Sequence, residues 1–304
     1  MDYIKIIQNS IDYIEENLKE DLTVSRIANF TGFSTYHYYR LFNAYVGIPV
    51  MQYVRRRRLL HGISDIANNG KRIIDVALDY GFETHSGFTK AFNKEYGCSP
   101  SQYISKIKGS IPKKIDLNVL KKYNLMTGVI MEPKIITRTS FKVAGYKFET
   151  SHEGRRNERE IPAFWEKFEI ENWESKLYEQ VKPAVHGEYA LCFPPNMDTG
   201  EFRYLLGVNA ENYHNDYRKI IIEEVPEASY AVFTTPPAAY ANRGFAKAIQ
   251  GTWDYILFEW FPSSGYEIEE GKPDFEYYDE RCHDPFNSVM DIYIPIIKSK
   301  RGNN

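Results

Sequence analysis

Four consecutive arginines, Arg55 to Arg58, and one glutamate, Glu276, are the residues of this chain best placed by type and setting to do chemistry. Successive residues of a helix step by about 100°, so four adjacent arginines on a helix cannot share one face. Some must turn back to neighbouring elements as ion pairs, and any that stay in solvent can hold phosphate. Glu276 sits in Asp274-Phe275-Glu276-Tyr277-Tyr278, where strand alternation puts Glu276 and Tyr278 on one face and Phe275 and Tyr277 on the other. A carboxylate set among aromatic rings without an evident basic partner binds a cation or titrates upward in its absence.

The arginines lie between two copies of one pattern. Ala28-x3-Gly32-Phe33-Ser34, Arg40-x-Phe42 and Gly47-x-Pro49 recur as Ala77-x3-Gly81-Phe82, Lys90-x-Phe92 and Gly97-x2-Pro100. Each copy predicts a short helix, a glycine turn and a second helix, so two helix-turn-helix units stand about 50 residues apart. The small alanine lets two helices cross closely, the glycine supplies the turn, and the aromatic after it plugs the corner. Ser34 and Thr84 are N-caps of the second helices, and Pro49, Ser99 and Pro100 open the helices that follow. Residues 49–68, with the arginines inside, predict one long connecting helix. Tyr38, Leu41, Phe88 and Phe92 fall on its neighbours' apolar stripes and are assigned to the core.

Charge separates the chain into two parts. Residues 1–122 carry 18 basic and 12 acidic side chains, a net +6, and residues 123–304 carry 20 and 29, a net −9. A positive first part suits a polyanion, and an acidic second part argues against another nucleic-acid surface. Cys98, Cys192 and Cys282 show no metal-ligand spacing, so neither a metal site nor a cofactor is expected and the compartment is read as reducing. The opening residues read as an amphipathic helix rather than a signal peptide, and no apolar run is long enough to span a bilayer. A cytoplasmic protein without a membrane partner is expected. The lysine-rich stretch with Gly109, Pro112 and Gly128 marks a linker over residues 108–130.

On these motifs, residues 1–107 resemble the DNA-binding domain of the AraC/XylS family. The second unit carries the match most closely: Ile73-Ile74-Asp75-Val76-Ala77-x3-Gly81-Phe82, Ser86-Gly87-Phe88-Thr89-Lys90-x-Phe92, and Gly97-Cys98-Ser99-Pro100-x2-Tyr103. Gly87 departs from the pattern inside the second reading helix, at a propensity cost of ~1 kcal/mol, and Ile104 stands where a basic residue is usual. The resemblance implies that both second helices enter the major groove of double-stranded DNA. By position it implies Thr35, Tyr36, Tyr39 and Arg40 as base-facing in the first, and Thr84, His85, Ser86 and Lys90 in the second. Arginine and lysine can address guanine acceptors, and hydroxyls can bond bases or phosphates.

The second part holds a fainter repeat. A strand (135–150), a helix (161–178) and two strands (184–193, 202–210) are followed by a strand (223–235), a helix (244–260) and strands near 275–279 and 289–297. Two pseudo-symmetric β-α-β-β units predict an α+β domain over residues 131–298 with a groove between helices and sheet. Trp165, Phe168 and Phe258 are assigned to its core. The run Glu259-Trp260-Phe261-Pro262-x2-Gly265-Tyr266, with Glu276-x-Tyr278 and the closing segment 291–296, resembles the GyrI-like (SHS2) effector-binding domain. That resemblance implies a small, aromatic or cationic effector on Glu276, with Tyr278, Trp260, Tyr146, Tyr189 and Tyr204 lining its pocket. The whole then reads as an effector-controlled transcription regulator, an activator that recruits RNA polymerase. A small-molecule hydrolase using Glu276 as base, and a domain that binds only protein, are the alternatives; Cys282-His283 is too local to make a nucleophilic dyad unaided.

Overall fold

The computed structural model describes residues 2–107, 114–117, 132–211, 213 and 219–299. Most of the expected linker, residues 108–130, lies outside them. The chain divides into two compact units, Asp2–Asn124 and Leu125–Asn304.

The first unit is helical over its described residues: α1 (Tyr3–Glu16), α2 (Val24–Thr31), α3 (Thr35–Val46), α4 (Val50–Asn69), α5 (Ile73–Asp79), α6 (His85–Tyr96) and α7 (Pro100–Ile107). The repeated residues do the repeated work. Gly32 and Gly81 both take left-handed backbone, at φ 73° and 78°, where a β-carbon would be strained. Ala28 and Ala77 are fully buried at the crossings, and Phe33 and Phe82 pack edge-on to His37 and Phe88 in the corners. Ser34 and Thr84 accept the amide protons of His37 and Gly87, capping α3 and α6. Ser99 and Gln102 close a reciprocal capping pair at the start of α7. Tyr38, Leu41, Phe88 and Phe92 are fully buried.

The four arginines of α4 all turn toward protein. Arg55 and Arg56 pair with Glu95 near the end of α6. Arg57 forms a two-armed bridge to Glu15 of α1, at 2.6 and 2.8 Å, and Arg58 donates to the carbonyls of Leu18 and Glu20. Within this helical unit, two arginines thus hold the second helix-turn-helix and two hold the elements before the first. On the same helix Gly62 lets α5 and α6 approach, since a β-carbon there would stand 2.9 Å from Val76 and 3.0 Å from Phe88.

The second unit is built on antiparallel strands: β1 (Lys134–Arg138), β2 (Phe141–Ser151), β3 (Glu188–Cys192), β4 (Glu201–Asn209), β5 (Ile221–Val225), β6 (Ala228–Thr234), β7 (Tyr266–Ile268), β8 (Asp274–Tyr278) and β9 (Asp291–Lys298). The main sheet runs β1-β6-β9-β8-β3-β4-β2-β5, with β7 on the far end of β9. Helices α8 (Asn157–Ile170) and α9 (Trp173–Val181) lie between β2 and β3, and α10 (Gly244–Tyr255) between β6 and β8. A π-helical stretch, Ile256–Trp260, and a short α11 (Phe261–Ser264) extend α10.

The two halves are equivalent: β2 neighbours β4 and β4 neighbours β3, as β6 neighbours β9 and β9 neighbours β8, with β3 and β8 meeting at the centre. The expected strands 135–150 and 223–235 are each broken in two. The break lets the leading strands change sides, so that β1 pairs with β6 and β5 with β2. It also bends the sheet. Val225 and Ala228 are three residues apart, about 10 Å of chain, yet β5 and β6 stand six places apart in the strand order, about 29 Å in a flat sheet. The sheet must therefore curl. Its inner side is filled by Phe141, Tyr189, Leu205, Tyr230 and Phe275, and its outer side carries the helices. No helix among the described residues is long and apolar enough to cross a membrane.

Glu15 also accepts from Tyr53 and lies 3.2 Å from the His61 ring nitrogen. Burial alone would raise its pKa, but the hydrogen bonds from His61 and Arg57 and the Arg57 charge outweigh burial and hold it at about 2. A depressed carboxylate stabilises the fold above its ordinary value of 4.5, and that contribution is lost as pH falls toward about 2. Glu15→Gln is expected to cost about 3 kcal/mol and to remove this part of the acid transition. Urea midpoints of both proteins measured from pH 2 to pH 7 check both.

Candidate functional site

The second reading helix presents its expected residues: Thr84, His85, Ser86 and Lys90 are all exposed around the start of α6. Gly87, inside this helix, has only the Thr84 hydroxyl near its missing side chain, at 3.1 Å, so it is open surface rather than a packing device. On α3 the picture differs. Thr35 and Arg40 are partly exposed, but Tyr36 and Tyr39, expected among the base-facing side chains, are fully buried. A ring with no accessible surface offers nothing to a base edge. The Tyr36 hydroxyl instead accepts from Arg40, at 3.4 Å.

In the second unit Glu276 occupies the middle of β8, opposite Ala190 of β3 and Ile292 of β9. The register puts Tyr146, Tyr204 and Tyr278 on its face of the sheet, the face covered by helices. The carboxylate is bound at both oxygens: the Trp253 indole donates to Oε1 at 3.0 Å and the Tyr278 hydroxyl to Oε2 at 2.7 Å. Tyr278 packs edge-on to Trp165, at 5.0 Å, and the Trp165 indole donates to the Tyr204 hydroxyl at 2.8 Å. Tyr146 stacks on Trp173 at 4.3 Å. No basic side chain pairs with Glu276 among the described residues.

Two expected pocket residues are elsewhere. Tyr189 points to the opposite, inner side of the sheet, where its hydroxyl accepts from Arg138 at 2.7 Å and its ring packs on Phe141 and Phe275. One position of register separates it from Ala190, and in a strand one position is the other face. Trp260 packs on Phe233, Phe261 and Tyr266; the indole that reaches Glu276 belongs to Trp253. Seven residues would return a straight α-helix to the same face, but the π-helical stretch Ile256–Trp260 holds an extra residue and rotates Trp260 away. Trp165, assigned to the core, is partly exposed and belongs with the Glu276 group. An aromatic signature marked both helices, but not which ring would meet the carboxylate. A cavity of about 440 Å³ lies along β1, β6, β7 and β9, lined by residues that include Ile135, Tyr266 and Lys272, and contains none of this group.

Burial raises the pKa of Glu276, and the hydrogen bonds from Trp253 and Tyr278 only partly offset it, with Asp274 adding repulsion. Burial and the Glu276 charge also push the Tyr278 and Tyr204 phenols well above their ordinary values, so both remain protonated donors. The arrangement can receive a cation: a carboxylate with indole and phenol rings beside it and no protein cation on it. Nucleophilic chemistry has less to work with. The Cys282 thiol is buried, donates to the Val289 carbonyl at 3.0 Å, and is pushed up to about 11 by burial.

A carboxyl whose pKa is raised by folding gives stability that is greatest at low pH and declines as pH rises through the raised value. Glu276→Gln is expected to flatten that decline and to stabilise the unit by about 1 kcal/mol at neutral pH. Urea midpoints of the two proteins across pH 5 to 8 measure the difference.

Comparison with known proteins follows the same division of the chain. Residues 17–106 match the family model described as a helix-turn-helix domain. Residues 134–296 match that of the integron-associated effector binding protein. An uncharacterized HTH-type transcriptional regulator of Bacillus subtilis, YbfP, is 37% identical over 122 residues, 40% of this chain and 41% of that protein. The chain thus spans about two fifths of that relative's length. The HTH-type transcriptional activator AarP of Providencia stuartii is 36% identical over 98 residues, 32% of this chain and 73% of its own. The structure of SAV2435 bound to tetraphenylphosphonium aligns with 55% of this chain and 94% of its own, at 21% identity and a TM-score of 0.46. The chain belongs, through its first unit, to the AraC-type helix-turn-helix regulators and, through its second, to the integron-associated effector-binding proteins.

Proposed function

We propose that this chain is a ligand-responsive transcription regulator. The exposed start of α6, with Arg40 and Thr35 of α3, reads double-stranded DNA, and a small organic cation held against Glu276 changes that reading. The observation that carries the effector half is the carboxylate itself. Glu276 is buried enough to raise its pKa, is held by two aromatic donors, and meets no protein cation among the described residues. A lipophilic cation with an aromatic body satisfies both the charge and the rings around it. The positive charge of the first 122 residues supports the DNA half, as does membership of the helix-turn-helix family. Activation, with RNA polymerase as partner, is the sign we favour, because the Providencia relative is described as an activator.

Both halves can be tested separately. Arg40→Ala and Lys90→Ala are each expected to weaken binding to the chain's own promoter fragment by about 10- to 100-fold, measured by fluorescence anisotropy at fixed salt. An unchanged sequence preference in both variants would sink the two-helix reading. For the effector, tetraphenylphosphonium is expected to quench tryptophan emission through Trp253 and Trp165, and Glu276→Gln to abolish the response. Equal quenching in the variant would remove the carboxylate from the binding site.

A further inference from the structure

Beside the Glu276 group, but not part of it, three side chains converge. Glu174 on α9, His186 just before β3 and Glu188 at its start each bring one donor atom to within 4.8 Å of the other two. His186 and Glu188 are two positions apart, so an extended backbone puts both on one face, while Glu174 reaches them from the helix. Cysteine and histidine spacing gave no hint of this trio, because two of its three donors are carboxylates.

The donors are held in place. Tyr178, one helical turn after Glu174, stacks on the His186 ring at 5.0 Å and 18°. Its hydroxyl donates to Glu188 Oε1 at 2.6 Å and accepts the Gly187 amide proton at 2.8 Å. The Tyr277 hydroxyl donates to the His186 carbonyl, and a β-carbon on Gly187 would stand 2.3 Å from that hydroxyl, so the backbone is pressed against it. His283 packs edge-on to His186 at 5.0 Å.

What is missing is a partner for the imidazole. His186 Nδ1 is buried and makes no hydrogen bond among the described residues. Nε2 stands 4.0 Å from Glu188 Oε1, too far for a hydrogen bond. Two donors bound tetrahedrally to one ion at about 2.0–2.2 Å each stand about 3.4 Å apart, so a movement of about half an ångström would bring this pair onto a shared ion. Glu188 is buried and Glu174 exposed, so the trio is anchored on one side and open to solvent on the other.

We propose that Glu174, His186 and Glu188 form a binding site for one divalent transition-metal ion of the zinc or cobalt class, with water completing the coordination. One imidazole and two carboxylates suit such an ion; magnesium and calcium prefer all-oxygen sites. Glu188 lies directly across from Tyr278 in the β3–β8 register, and Tyr278 donates to Glu276. The ion therefore sits one strand pair from the organic-cation site, yet its existence does not depend on that reading.

The test uses the untagged full chain, titrated with Co²⁺ by visible absorption and with Zn²⁺ by competition against a chromophoric chelator. One equivalent is expected to bind, with cobalt d–d bands and no competition from equimolar Mg²⁺. His186→Gln and the surface change Glu174→Gln should each weaken Zn²⁺ by at least about 100-fold, and Tyr178→Phe by about 10-fold. Circular dichroism verifies that each variant is folded. No uptake by the folded parent chain at micromolar metal overturns the proposal. So does uptake that Glu174→Gln and His186→Gln leave unchanged, or equal affinity for Mg²⁺.

Discussion

The amino-terminal unit depends on how Arg55 to Arg58 are shared. Two of the four charges neutralise Glu95, beside the carboxyl end of α6, and the other two hold Glu15 and the carbonyls after α1. A helix that steps about 100° per residue presents adjacent side chains to different neighbours, and here those neighbours belong to different reading units. The cluster is thus a spacer with fixed ends. The two-armed Arg57–Glu15 bridge fixes the separation of the elements it joins better than apolar contact, which tolerates sliding.

In the second unit the governing constraint is the parity of a strand. Glu276, Tyr278, Tyr204 and Tyr146 share a face because β8, β3, β4 and β2 are aligned in one register. The other parity builds an inner aromatic core in which Arg138 lies 3.8 Å above Phe141 and also bonds Tyr189. Both sides of the sheet therefore combine rings with charge, to opposite ends. Inside, the chain's own guanidinium occupies the rings and the charge is settled. Outside, the charge is negative and its only described partners are hydrogen-bond donors.

Much of the helical unit was legible because its turns demand particular residues. Left-handed backbone needs Gly32 and Gly81, tight crossings need Ala28 and Ala77, and capping needs Ser34 and Thr84. The arginine partners were not legible, since Glu15 and Glu95 lie about 40 residues away on either side and no local rule selects them. Alternation correctly joined Glu276 to Tyr278, a relation within one strand, but not Tyr189 to either, since that requires the register between strands. The rotation of Trp260 depends on one extra residue in a helix, to which periodicity is blind. Pro226 lies at the break between β5 and β6, though the strand expected over residues 223–235 ran through it; Thr139-Ser140, where the matching break falls, carries no such residue.

The exchange of leading strands says something about how such a domain can come to exist. A single β-β-α-β-β segment of this kind aims its first strand away from its own sheet, so alone it leaves one strand unpaired and one sheet edge bare. Only a second copy can cover both. The two halves are in effect a swapped dimer made covalent, and a chain cut after β4 would yield fragments that must find each other before either is folded.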